Sequence, residues 1–183
     1  MPEPTTAPAQ AVVLITGIQA AGKSTVAQLL AERLSRSVHL RGDLFRRMVV
    51  GGRADMTPNP SEDAMRQLRL RHRLTATAAD EYFQEGFTVV VQDVVLGVHL
   101  TAMVHQIRAR PLLTVVLAPR VEAIAARETA RAKSSYDAWT VAQLDHGLRN
   151  DTPRLGLWLD TSDQTPTETV DEILRRAWTE ARV

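Results

Sequence analysis

At 183 residues, with 44% hydrophobic and 23% charged side chains, the chain has the size and balance of one well-buried α/β core, which excludes a disordered polymer. A net charge of +1 excludes coating of nucleic acid by bulk charge, and the absence of cysteine excludes disulfides and thiolate metal sites. The expected location is cytoplasmic, away from membranes, because the most apolar stretch, 88–100, is too short for a bilayer and carries Gln92, Asp93 and His99.

In chain order, the opening MPEPTTAPAQ has neither the basic nor the apolar region of a signal peptide, and a disordered tail is expected over 1–10. One domain is then expected over 11–183. Apolar runs bounded by turn residues predict strands at 11–16, 37–40, 87–92, 112–118 and 155–160. Helical spacing predicts helices at 23–35, 43–50, 61–85, 98–108, 121–133, 136–149 and 167–181. Alternating strands and helices, with strands apolar nearly throughout, imply an α/β fold whose parallel sheet is flanked by helices on both faces. The long strand-free stretch, about 43–86, predicts a helical acceptor lobe beside the sheet.

Between the first strand and the first helix stands GIQAAGKS, residues 17–24, which matches the phosphate-binding loop G-x-x-x-x-G-K-[ST] at every fixed position. Gly17 and Gly22 let the backbone curl, so that the N–H groups of Ile18, Gln19, Ala20 and Ala21 converge on phosphate oxygens. The helix starting at Lys23 adds its positive end. Lys23 suits the β and γ phosphates, the Ser24 hydroxyl a metal ion, and Thr25 the α phosphate. The bland alternative is a glycine turn before an ordinary helix. Lys23 and Lys133 are the only lysines and neither sits in an Asn-Lys-x-Asp guanine reader, so ATP with Mg2+ is the expected ligand pair.

Ligands of open α/β sheets gather at the carboxyl ends of strands, where Asp43 follows the second strand and Asp93 the third. With the third strand beside the first, Asp93 is expected to face Ser24 and hold magnesium through water. Asp43 is expected to take the proton of an attacking hydroxyl. The structural alternatives are a helix cap for Asp43 and a strand-end turn for Asp93. After the fourth strand, Arg127, Arg131 and Lys133 suit either a lid over the phosphates, about 127–137, or a solvated basic helix end.

With GIQAAGKST, RGDLF, VVVQDVVLG, RETAR and LDTSDQTPTETVDEI in that order, the chain resembles the P-loop kinase superfamily, and within it the chloramphenicol phosphotransferase-like group. That resemblance implies strand order 2-3-1-4-5, Asp43 as catalytic base, Lys23 and Ser24 at phosphates and metal, and Arg127 and Arg131 in the lid. It is weakest across 46–73, which does not look like the drug-binding part of that enzyme.

Eight arginines lie between 41 and 73, so an anionic acceptor is one reading, with Arg46 and Arg47 best placed one turn beyond Asp43. Arg66, Arg69 and Arg73 read as a solvated helix face. Phe45, Met48, Met56, Met65 and Tyr82 suit either an apolar acceptor pocket or ordinary core packing. The leading expectation is an ATP- and magnesium-dependent O-phosphotransferase acting on a hydroxyl of a small molecule, antibiotics among the candidates. A nucleoside, nucleotide or polynucleotide 5′-kinase and a non-enzymatic ATP-binding regulatory module are the alternatives. Aromatics at 4% speak against a surface that stacks single-stranded nucleic acid. The sequence carries no signal of oligomeric state.

Overall fold

The computed structural model describes residues 9–129 and 139–183. Residues 1–8 of the expected tail, and 130–138 with Arg131 and Lys133 of the expected lid, lie outside the described residues. Five strands, β1 (Val12–Thr16), β2 (Ser37–Arg41), β3 (Thr88–Gln92), β4 (Leu112–Leu117) and β5 (Leu157–Leu159), form one parallel sheet in the order β2-β3-β1-β4-β5. This is the order that the resemblance implies. The helices are α1 (Lys23–Arg33), α2 (Asp43–Arg47), α3 (Glu62–Gln84), α4 (Val98–Gln106), α5 (Val121–Thr129), α6 (Val141–His146) and α7 (Pro166–Glu180).

β1, β3 and β4 are buried along their whole length because helices cover both faces of the sheet, which is why they read as unbroken apolar runs. Val13, Ile15, Val90 and Val115 pack on one face against Val26, Leu30 and Ala31 of α1 and Val170 and Ile173 of α7. Val12, Leu14, Val89 and Val91 pack on the other against Ala76 and Ala79 of α3 and Leu100 and Met103 of α4. A smaller cluster joins Ile18 of the phosphate-binding loop to Val116, Ile124 of α5 and Leu144 of α6. Caps define the helix starts: Ser61 accepts from the Ala64 N–H, and Thr140–Gln143 and Thr165–Glu168 close reciprocal capping boxes.

Most element ends fall within two residues of expectation, and the larger differences have local causes. α2 stops at Arg47, and the chain through Gly51, Gly52, Pro58 and Pro60 has no regular structure before α3. The edge strand β5 starts at Leu157 because Gly156, at φ 71°, lies against the Thr114 carbonyl too closely for any side chain. α6 runs into a π turn over Gly147–Asp151. Among the described residues no helix is long and apolar enough to cross a membrane.

His72 of α3 is 2% exposed and meets His99 of α4 edge-on, with ring centroids 5.7 Å apart. Burial, then the charges of Arg71 and His99, hold its pKa down at about 4, against 6.5 for an ordinary histidine. Between these values the unfolded chain binds more protons, so stability is fully present above pH 6.5 and is lost as pH falls toward 4. The expected loss is on the order of 3 kcal/mol. Urea titration at several pH values should show this slope flattened in His72→Phe; an unchanged slope would assign the acid sensitivity elsewhere.

Candidate functional site

The phosphate-binding loop leaves the buried end of β1 at Thr16, whose hydroxyl donates to the Val95 carbonyl and accepts from the Val95 N–H, each at 2.9 Å. Gly17 follows at φ 148°, where a Cβ would lie 2.5 Å from the Leu117 carbonyl oxygen. Only glycine allows that approach. Gly22, at φ 94°, is the N-cap of α1 and brings no capping side chain, so the orphan N–H groups of the first turn face the loop interior. Lys23 is 6% exposed, and its ammonium donates to the Ile18 carbonyl at 2.7 Å, folding the cation over the same interior. Ser24 and Thr25 are exposed beside it. The uncapped N–H groups at the start of α1 with one buried cation suit the polyphosphate of a nucleotide.

The register sets what stands next to the loop. Ile15 of β1 is level with Gln92 of β3, and Gln92 with Arg41 of β2, so the segments after β1, β2 and β3 start side by side. The residue opposite Ser24 is Gln92, whose Oε1 accepts from the Ser24 hydroxyl at 3.3 Å. This corrects the expectation that Asp93 faces Ser24. Successive residues of an extended chain point to opposite faces, and with Gln92 turned to α1, Asp93 turns to α3.

There the Asp93 carboxylate, 1% exposed, takes both Nε (2.7 Å) and Nη2 of Arg71, and its Oδ1 also accepts from the Val94 N–H at 2.7 Å. Gly42 packs directly on it, where any Cβ would overlap the carboxylate. Burial lowers the Arg71 pKa to about 10, opposed by the charge of Asp43, and the guanidinium remains cationic at neutral pH. Arg71 was not singled out from the sequence. Its signal is helical spacing: it shares the buried face of Ala64 and Thr75, whereas Arg66 pairs with Asp63 on the exposed face.

Asp43 opens α2 but does not cap it, since Gly42 is the N-cap and no side-chain cap forms. Its Oδ2 pairs with Arg47 at 2.8 Å, and Oδ1 lies 3.7 Å from Arg41 Nε. Oδ1 is buried and accepts no hydrogen bond. Arg46 turns away and pairs with Asp55. Arg47 and Arg46, adjacent in sequence, thus serve different carboxylates.

On the opposite side, Arg127 of α5 lies across the loop, donating to the Thr161 carbonyl at 2.6 Å and the Ala21 carbonyl at 3.4 Å. Trp139 donates its indole N–H to the Met56 carbonyl at 3.4 Å, joining the start of the α6 region to the 48–56 segment. Arg149, also unforeseen, pairs with Asp145 and donates to the Ala118 and Pro119 carbonyls past β4. Between α2, the 48–56 segment and α3 lies a cavity of about 200 Å³ lined by Phe45, Met48 and Met56 among others, whereas Met65 and Tyr82 do not border it.

A family model described as an AAA domain matches residues 12–153. A UPF0200 protein of Aeropyrum pernix is 30% identical over 139 residues, covering 75% of this chain and 73% of its own. Among solved structures, a sugar kinase from Janibacter superposes with a TM-score of 0.67 at 19% identity, covering 92% of this chain and 94% of its own. The tunicamycin resistance protein of Deinococcus radiodurans superposes with a TM-score of 0.66 at 16% identity, covering 96% and 100%. At these identities the two structures speak for the fold alone. With the matched AAA domain and the phosphate-binding loop between β1 and α1, the chain belongs to that AAA-domain family, and its 2-3-1-4-5 parallel sheet has the fold of P-loop kinases.

Proposed function

We propose that this protein transfers the terminal phosphoryl group of ATP, with magnesium, to a hydroxyl of a small molecule held between α2 and α3. The observation that carries the reading is a carboxylate oxygen without a hydrogen bond, Asp43 Oδ1, on the strand end two places from the phosphate-binding loop in the sheet. The fold shared with a sugar kinase and a tunicamycin resistance protein supports it. In this reading the N–H groups of the loop and the Lys23 ammonium bind the phosphates, with Ser24 and Gln92 facing the metal side. Ser24 and Gln92 would hold magnesium there, and the ion would supply charge neutralisation for the phosphates.

Asp43 Oδ1 accepts the proton of the acceptor hydroxyl as its oxygen bonds to the γ phosphorus, and the bond to the β-phosphate oxygen breaks to leave ADP. Arg127, within reach of the loop, turns from the Thr161 carbonyl to the transferring group. Arg131 retains its expected lid role within this proposal. Asp93 and Arg71 fix the wall on which the acceptor rests.

Magnesium-ATP should raise the unfolding free energy by about 2.7 kcal/mol at a hundredfold excess over its dissociation constant. Lys23→Ala should lose most of that gain while unfolding like wild type without ligand, because its buried ammonium serves the loop interior. Calorimetric melting with and without ligand checks both. An absent shift in wild type at millimolar nucleotide would sink the nucleotide reading.

A further inference from the structure

We infer that the acceptor is an uncharged alcohol with an apolar body, bound in the cavity between α2 and α3; this deepens the phosphotransfer reading and rests on it. The cavity walls are the side chains of Phe45, Met48, Val49, Met56, Leu68 and Leu74, and little polar surface faces the space. The polar groups that do border it are engaged. Arg46 is held by Asp55, Arg71 by Asp93, and the Gln67 amide by the Gly52 carbonyl, Asp63 and the Ala54 N–H.

A carboxylate or phosphate on the acceptor would have to compete with Asp55 for Arg46 or draw Arg71 off a buried carboxylate, the latter leaving Asp93 charged and unpaired. A sugar would bring several hydroxyls to walls of methyl and methylene groups, where each unpaired hydroxyl forfeits its hydrogen bonds to water. An apolar body meets neither penalty. About 150 Å³ of aliphatic and aromatic lining is enough to hold a benzene ring, so about 200 Å³ accommodates a ring with a short side chain.

The rim points the same way. Met48, Leu70 and Leu74 border the cavity yet are 69%, 42% and 41% exposed, a grouping of large apolar side chains at one mouth. Asp43 stands at the start of the same helix that supplies Phe45 and Arg46, and its charge acts on Arg71 in the cavity wall. Asp43 stands outside the cavity lining, and the inferred orientation sets the apolar body in the cavity and the hydroxyl beyond its rim, toward Asp43.

The test uses the full chain with Nile red, a neutral apolar dye, as the binding probe. Wild type should bind the dye saturably, and 2-phenylethanol should displace it where glucose, gluconate and adenosine at equal concentration do not. Leu70→Glu and Leu74→Glu, at partly exposed positions that a charge need not unfold, should weaken dye binding at least tenfold with calorimetric ATP affinity unchanged. With ATP and magnesium, 2-phenylethanol and cinnamyl alcohol should drive ADP release at least tenfold faster than the polar acceptors.

Dye that fails to bind, or binds both variants as wild type does, overturns the cavity assignment. Faster turnover of gluconate, glucose or adenosine overturns the acceptor class while leaving phosphotransfer intact. Dye and alcohol binding without turnover of any acceptor refutes both the acceptor role and the phosphotransfer reading, and leaves an apolar binding site. A concentration-dependent dimer that Leu70→Glu dissociates would assign the surface to a second copy and overturn the inference.

Discussion

Asp43→Asn is expected to cut acceptor-dependent ADP formation by about 10²- to 10⁴-fold while ATP and magnesium bind as in wild type. The carboxylate has one oxygen paired with Arg47 and one, Oδ1, that accepts no hydrogen bond although it is buried. A buried carboxylate oxygen that accepts no hydrogen bond, its nearest cation Arg41 Nε being 3.7 Å away, leaves room for a donor, and an acceptor hydroxyl supplies one. Asparagine keeps the shape but cannot take a proton. The Arg47 side chain is 59% exposed, so losing its charge partner changes stability little. Phosphoryl transfer through a loose transition state relies on positioning more than on proton removal, which favours the lower part of the range. Turnover and calorimetric nucleotide affinity on the same preparation decide it. Wild-type turnover returns Asp43 to a structural role, and lost ATP binding moves it to the nucleotide side.

Asp93→Ala is expected to act on stability, lowering it by about 3–5 kcal/mol. The carboxylate is almost fully buried and is the partner of Arg71, whose removal from water is tolerated because of that pair. Alanine leaves the guanidinium uncompensated, strands the Val94 N–H and opens a gap beside Gly42. For a chain of this size the melting temperature should fall on the order of 10 °C. Replacing both members, as Asp93→Leu with Arg71→Leu, should recover much of the loss, because neither charge is then buried alone. A magnesium role for Asp93 predicts a different phenotype: a raised magnesium requirement at an unchanged melting temperature. Denaturant melts of Asp93→Ala and of the double variant, with a magnesium titration of Asp93→Asn, separate the two.

Asp93 and its neighbour illustrate where reading along the chain stops. The strand-end position of Asp93 in VVVQDVVLG was legible, as was its parallel strand beside β1. Which of Gln92 and Asp93 meets Ser24 depends on the phase of the pleat, and a one-residue change of phase exchanges the faces. Likewise Arg71 is one of eight arginines between 41 and 73; helical spacing sets it on the buried face of α3, but only the packing of α3 on β3 pairs it with Asp93. The 41–73 stretch is basic in composition, yet the cavity it borders is apolar, because ion pairs with Asp55 and Asp93 engage the arginines that line it.

By itself the sequence determined the phosphate-binding loop, since its glycines and lysine act through backbone conformation and charge within eight contiguous residues. It also determined the parallel α/β class, because strands buried on both faces must be apolar throughout and the helices between them carry their own periodicity and caps. The tertiary structure alone decided which side chains share the site: Gln92 at Ser24, Arg71 on Asp93, Arg127 across the loop, and Asp43 Oδ1 without a hydrogen bond. Those pairings join residues 22 to 106 positions apart, and their geometry is set by strand register and helix packing rather than by any local pattern.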